Sequence, residues 1–243
     1  DNKFEIVFIS PFKKPEYFND KDNVKWIVDY GCPSRATQIG ALECEGTFIY
    51  NTVDDGLFVE GCIDAAISQF NEECSPEDII NIRYRESENA SKEVAFHESY
   101  WSIWGIPNLS MLSKVDNNWK IALHFFMKRE FYYTLGGVDC IFEYVNHGAH
   151  DLVFRAQNKG SYVHLSKVEG LLCTHVPERT GDHAPIHDAQ LSHDEPLFNA
   201  LWNGSHAREK DVLTMDNYKK CPEVWERRFP NGVTISYEEL HYG

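Results

Sequence analysis

Residues 46–71 read GTFIYNTVDDGLFVEGCIDAAISQFN, and the architecture hangs on how this run is parsed. An apolar strand ending near Asn51 leads into two adjacent carboxylates, Asp54 and Asp55, followed by Gly56. Beyond them Val59, Cys62, Ile63, Ala66, Ile67 and Phe70 recur at the spacing of one helix face, so LFVEGCIDAAISQFN is expected to be helical. Upstream the same unit appears once more. NVKWIVDYG (23–31) reads as a strand, and PSRATQIGALECEG (33–46) as a helix begun by Pro33 and closed by Gly46. KFEIVFIS (3–10) is a short buried strand whose end opens at Ser10-Pro11. Strands alternating with helices predict an α/β fold with a mainly parallel sheet flanked by helices. Ligands bind beyond the carboxyl ends of such strands, and Asp54 and Asp55 sit at one of those ends.

Downstream the pattern loosens. DIINIRYRE (78–86) can form a strand, whereas SYWSIWGIPNLSMLS (99–113) is rich in aromatic, Ser, Gly and Pro residues without periodicity and reads as a loop-rich insert, about 85–118. WKIALHFFMKREFYYTLGG (119–137) returns to strand and short helix, ending on Gly136-Gly137. HDLVFRAQNKG (150–160) is a helix stopped by Gly160, and KGSYVHLS and EGLLCTH read as two further strands. The polar stretch VPERTGDHAPIHDAQLSHDEP (176–196) reads as a surface loop or lid. PLFNALWN and CPEVWERRF read as short helices packing back through Trp202, Trp225 and Phe229. The 243 residues fit one large domain with an appendage, divided here as 1–185 and 186–243.

With 38 acidic against 23 basic residues the formal net charge is −15, and no run of Lys or Arg tracks a phosphate backbone. Nonspecific nucleic-acid binding is therefore disfavoured and a cation is the expected charged partner. The seven cysteines are odd in number, scattered and without a CxxC pair, which points to reduced thiols in a cytoplasmic setting. Asn89, Asn108 and Asn203 begin Asn-x-Ser/Thr triplets, read as ordinary surface residues. No apolar stretch approaches the roughly 20 residues of a membrane span.

Three constellations can carry chemistry. Asp54-Asp55-Gly56 can hold a divalent cation through hard oxygen ligands that leave open positions for phosphates, or can be a plain Asp-Gly turn. Gly136-Gly137-Val138-Asp139 leads to Glu143 and then to His150-Asp151-Leu152-Val153-Phe154-Arg155. Its glycines allow close backbone approach and its acids can supply a general base, yet Asp151 and Arg155, four apart, can simply pair on a helix. Cys173-Thr174-His175, with His183 and His187 beyond, can complete a coordination sphere beside carboxylates, although the spacing fits no zinc-hydrolase helix.

The order SRATQIGALECEG, VDDG, LGGVDCIFEY, HDLVFR, NKG and CTH resembles a family 2-like GT-A glycosyltransferase, Rossmann-like in its sheet, and in particular the small transferases of phage-type genomes. The resemblance spans residues 4 to 185 and makes KFEIVFIS the family's second strand, the first being missing or trimmed. It implies a nucleotide-diphosphate sugar donor, linked to UDP or GDP, with Ser10 and Pro11 near the base and Ser34 and Arg35 near the nucleotide. It also implies a Mn2+ or Mg2+ ion on Asp54, Asp55 and His175, and Gly136, Gly137 and Asp139 facing the donor sugar and acceptor. The family's catalytic Glu-Asp pair before "DL" is replaced by Gly148 and Ala149, which leaves Asp151, Glu143, Asp139 or His150 to serve. Metal-dependent, inverting transfer to an acceptor hydroxyl on a glycan, protein, lipid or modified nucleic acid is the implied activity. A virus-encoded protein in a host cytoplasm is the implied setting. The aromatic Tyr100, Trp101 and Trp104 offer an acceptor platform, or core packing. The rival readings are a binding module of the same fold and a metal-dependent nucleotidyltransferase or hydrolase.

Overall fold

The computed structural model describes residues 3–87, 97–98, 120–174, 184–202 and 213–220. Strand β1 (Ile6–Ser10) lies parallel to β2 (Val24–Val28), in register from Ile6 opposite Val24 to Ser10 opposite Val28. Parallel neighbours finish together, so Ser10 and Val28 share one edge, and the Asp29 N–H donates to the Ser10 carbonyl at 3.1 Å. The chain then enters α1 (Pro33–Glu43) with Pro33 in the first turn, where its missing N–H has no intrahelical partner to lose. The helix ends before Gly46, because Cys44 is already extended.

The larger sheet comprises β3 (Phe48–Tyr50), β4 (Gly56–Phe58), β5 (Ile79–Ser87), β6 (His97–Glu98), β7 (Phe125–Lys128) and β8 (Val163–Thr174). Its order is β3-β7-β5-β8-β4, with β6 on β5. The sheet is mixed rather than mainly parallel: β5 and β8 are parallel, like β1 and β2, while β3–β7, β5–β7, β4–β8 and β5–β6 are antiparallel. The strand–helix alternation foretells the parallel pairs. The antiparallel ones include β4, a three-residue return strand directly after Asp54-Asp55 whose pairing alternation alone does not reveal.

That return strand also shortens the helix after it. Leu57 and Phe58 pair with Leu172 and Leu171, and the Val59 N–H donates to the Gly170 carbonyl at 3.0 Å, so α2 (Cys62–Glu73) starts only at Cys62. The two strands expected from KGSYVHLS and EGLLCTH are one continuous β8 from Val163 to Thr174. Asn81 faces Leu165 and Arg83 faces Glu169, so the residues between bulge out, with Ser166 Oγ accepting the Arg83 N–H at 2.8 Å.

The remaining helices are α3 (Arg129–Thr134), α4 (Val145–Asn158), α5 (Ala184–Ala189) and α6 (Glu195–Trp202), with a π-helical turn at Gln190–Asp194. The stretch read as a loop or lid is thus helical from Ala184 onward. Its buried Ile186 and Ala189 give it an apolar side that the surrounding polar residues conceal. Helix α4 begins five residues before His150 and is buried from His147 to Ala156. It packs its Ala149, Leu152 and Val153 with Ala41, Met127 and Phe131, and its Phe154 edge-on to Trp202 of α6, 5.4 Å between ring centroids. On the opposite face α2 inserts Phe70 against Phe48 and Phe126. Among the described residues the six cysteines are free thiols and no helix is long and apolar enough to cross a membrane.

Candidate functional site

Asp54 and Asp55 occupy an exposed turn between β3 and β4. The strand that delivers them is pinned through Asn51, whose N–H donates to the Phe125 carbonyl at 2.9 Å and whose amide donates to the Leu123 carbonyl at 2.8 Å. After the turn Gly56 pairs opposite Cys173, so the two carboxylates stand beside the end of β8, which closes at Thr174, one residue before His175. His175 lies outside the described residues, as do Trp101 and Trp104. Two solvent-facing carboxylates suit a hard divalent cation that keeps positions open for ligand oxygens. Among the described residues no third His, Cys, Asp or Glu joins them.

A second flank is the common edge of β1 and β2. Ser10 and Pro11 are half-buried there, with Ser10 Oγ accepting the Phe12 N–H at 3.2 Å. Asp29, next along from β2, grips Arg35 through Nε at 2.9 Å and Nη2 at 2.8 Å. The Arg35 Nη1 donates to the Tyr218 carbonyl at 2.7 Å, and the guanidinium lies 5.2 Å over the Tyr218 ring. Ser34 is fully buried and donates to the Tyr144 carbonyl at 3.3 Å. Ser34 therefore ties α1 to the entry of α4, and Arg35 ties it to residues 213–220.

Gly136 and Gly137 both have positive φ, 75° and 71°. Their close approach is to the chain itself: a Cβ on Gly136 would overlap the Leu213 backbone, and one on Gly137 would overlap the Gln38 amide. Gln38 is fully buried. Its Oε1 accepts from Tyr132 Oη at 2.8 Å and from the Val138 N–H at 3.0 Å, and its Nε2 donates to the Met215 carbonyl at 3.0 Å. From the other side Arg155 donates to the Leu135 and Gly137 carbonyls, both at 2.5 Å. Asp151, fully buried, holds Arg155 Nε at 2.8 Å and accepts from Trp202 Nε1 at 2.9 Å. The four-residue spacing thus builds an ion pair, inside the core rather than on a solvated face.

The entry to α4 gathers the other titratable candidates. Asp139 is buried, and its Oδ1 accepts the Ile141 N–H at 3.1 Å. Burial first, then the neighbouring His147, pushes His150 down to about 3, so it stays neutral. Where the resemblance expects a Glu-Asp pair, a Cβ on Gly148 would stand 2.8 Å from both Ser34 Oγ and Val138 Cγ1, and Ala149 is fully buried in the core. Small residues there let α4 meet α1, which leaves no room for acids.

Glu143 is buried too, and its N–H and that of Tyr144 both donate to Asp194, at 3.0 Å and 2.6 Å. Asp194 is itself fully buried; burial raises its pKa, opposed by hydrogen bonds from His193 and Tyr144. His193 Nδ1 lies 2.7 Å from Asp194 Oδ1 and 4.0 Å from Glu143 Oε1, with a side chain 41% exposed. Sequence reading missed Gln38, Asp194, Asn217 and Tyr218. Gln38, Asp194 and Asn217, whose amide accepts the Cys140 N–H and donates to the Gly136 carbonyl, bind backbone groups far along the chain, while Tyr218 offers its carbonyl and ring to Arg35; none leaves a local pattern, and Asp194 lies in the stretch read as a loop.

The described architecture, a curled mixed sheet with flanking helices, is that of the GT-A glycosyltransferases. It is similar to the crystal structure of S. aureus TarS, with a TM-score of 0.52 at 12% identity over 96% of this chain and 38% of TarS. TarS 1-349 gives 0.50 at 13% identity, over 98% of this chain and 67% of that one. A crystal structure of GalNAc-T7 with UDP, GalNAc and Mn2+ gives 0.44 at 12% identity, over 94% of this chain and 52% of that one. The chain thus spans well under half of the longer TarS structure. No protein-family model and no curated protein matches the sequence.

Proposed function

We propose that this chain transfers a sugar from a nucleoside-diphosphate donor to an acceptor hydroxyl. The observation that carries the reading is the exposed Asp54-Asp55 turn, set at the end of β8 within a GT-A fold. Asp54 and Asp55, with His175 one residue beyond β8, would hold Mn2+ or Mg2+, which when bound neutralises the charge that develops on the departing diphosphate. The edge formed by Ser10, Pro11 and Asp29 takes the base and ribose, and α1, anchored by Ser34 and Arg35, forms the floor beneath them. The buried Asp151–Arg155 pair and Gln38 hold the Gly136-Gly137 turn rigid, so that the donor sugar meets a preformed wall. Attack on the anomeric carbon from the face opposite the diphosphate inverts its configuration.

Thermal shift with UDP and GDP, with and without manganese, on the wild type and on Asp55→Ala tests this directly. A stabilisation that needs both nucleotide and metal and disappears in the variant supports the site. No stabilisation by either nucleotide in the wild type refutes the reading. Pyrophosphate release from a nucleoside triphosphate would reassign the same carboxylates to nucleotidyl transfer.

A further inference from the structure

We propose that His193, oriented by Asp194, is the proton acceptor of the transfer, which rests on the transferase reading above. The two positions where the resemblance expects acids are closed by packing, since Gly148 abuts Ser34 and Ala149 is in the core. Asp151 is fully buried, its oxygens accepting from Arg155 and Trp202, and His150 stays neutral far below the ordinary imidazole range. His193 is different. Its Nδ1 is held 2.7 Å from a fully buried carboxylate, and its ring is 41% exposed. A buried carboxylate fixes the tautomer that presents Nε2 outward and stabilises the imidazolium that forms, as in any base oriented by a third group. Among the described residues no hydrogen bond is made to Nε2.

The dyad stands at the entry of α4, against the turn that Ser34 and Cys32 of the α1 entry also touch, through the Tyr144 and Phe142 carbonyls. It therefore shares that turn with the N-terminal end of α1, which the transferase reading sets beneath the nucleotide. Accepting the Glu143 and Tyr144 N–H groups alone does not account for Asp194: a neutral Asn oxygen accepts as well, and a fully buried carboxylate is costlier to keep. The charged and titratable groups around the dyad, among the described residues, are Glu143 before α4, His147 on α4 and Glu195 beside it. In the step proposed, the acceptor O–H gives its proton to His193 Nε2 as its oxygen bonds to the anomeric carbon. The bond from that carbon to the diphosphate breaks with its electron pair going to the phosphate oxygen, and the imidazolium then returns its proton to solvent.

The probe is release of UDP or GDP from a panel of UDP- and GDP-sugars, with water as acceptor, followed against pH for wild type, His193→Gln and His193→Ala. We expect kcat in His193→Gln to fall about 10²- to 10⁴-fold, the span of general-base contributions, with KM for the donor and the nucleotide-induced thermal shift unchanged. The acid limb of the wild-type profile should vanish, and added imidazole should restore part of the rate to His193→Ala, which a purely structural role does not allow. If His193→Gln keeps kcat within about threefold and retains the acid limb, His193 is not the base and transfer itself stands. If the wild type releases no nucleotide from any donor and is stabilised by none, the transferase reading fails and the base with it.

Discussion

Replacing Asp151 with Asn separates a structural pillar from a catalytic base. The substitution keeps an oxygen for Trp202 Nε1 but leaves the Arg155 guanidinium, 6% exposed, facing the Leu135 and Gly137 carbonyls without its counter-charge. Removing one partner of a buried pair costs about 3–5 kcal/mol, and for a chain of this size that lowers Tm by roughly 6 to 20 °C. Replacing both, as Asp151→Leu with Arg155→Met, removes the stranded charge as well and should recover most of that loss. Scanning calorimetry of the three proteins, read beside donor turnover, decides the matter. A Tm within about 2 °C of wild type for Asp151→Asn, together with abolished turnover, would refute the structural assignment and return Asp151 to the chemistry.

Acid should destabilise the fold well above carboxylate pH. Burial holds His124 at about 4 and His150 at about 3, against an ordinary 6.5, so the unfolded chain takes up these protons first. Their contribution is full above pH 6.5 and is lost as pH falls through it, by about 2 kcal/mol for each by pH 5; urea melts at pH 7.5 and 5 should differ accordingly, and equal midpoints would show the imidazoles to be hydrated. Gly148→Glu, which restores the acid that the resemblance expects, should destabilise rather than activate, because its Cβ alone meets Ser34 Oγ and Val138 Cγ1 at 2.8 Å. A gain in turnover at unchanged Tm would show that α4 can withdraw from α1.

Local pattern was enough where the chain obeys one period at a time. β1, β2, α1 and β5 were legible because an apolar run or a helix face is written within ten or so neighbouring residues. It failed where pairing partners are remote. Nothing in Leu57-Phe58-Val59 distinguishes the first turn of a helix from a return strand until β8 lies beside it. The site divides in the same way. Asp54 and Asp55 announce themselves as adjacent carboxylates at a strand end, and the spacing of Asp151 and Arg155 gives their pairing though not their burial. Asp194 accepts the N–H groups of Glu143 and Tyr144 about fifty positions earlier, and Gln38 binds a turn one hundred positions later, so both are invisible to any window a reader can scan.

The contacts of residues 213–220 with α1 also govern when that face can be completed. Arg35 reaches Tyr218 across 183 positions and Gln38 reaches Met215 across 177. Loops that long close late, since the entropy of joining their ends must be met before the contact returns anything. On a ribosome, α1 and the strands beside it emerge early and wait for one partner of the Gln38 Nε2 and one arm of Arg35, both supplied only by residues 213–220. A nascent chain is therefore most exposed to chaperones and proteases on this face of α1 until residues 213–220 have been made.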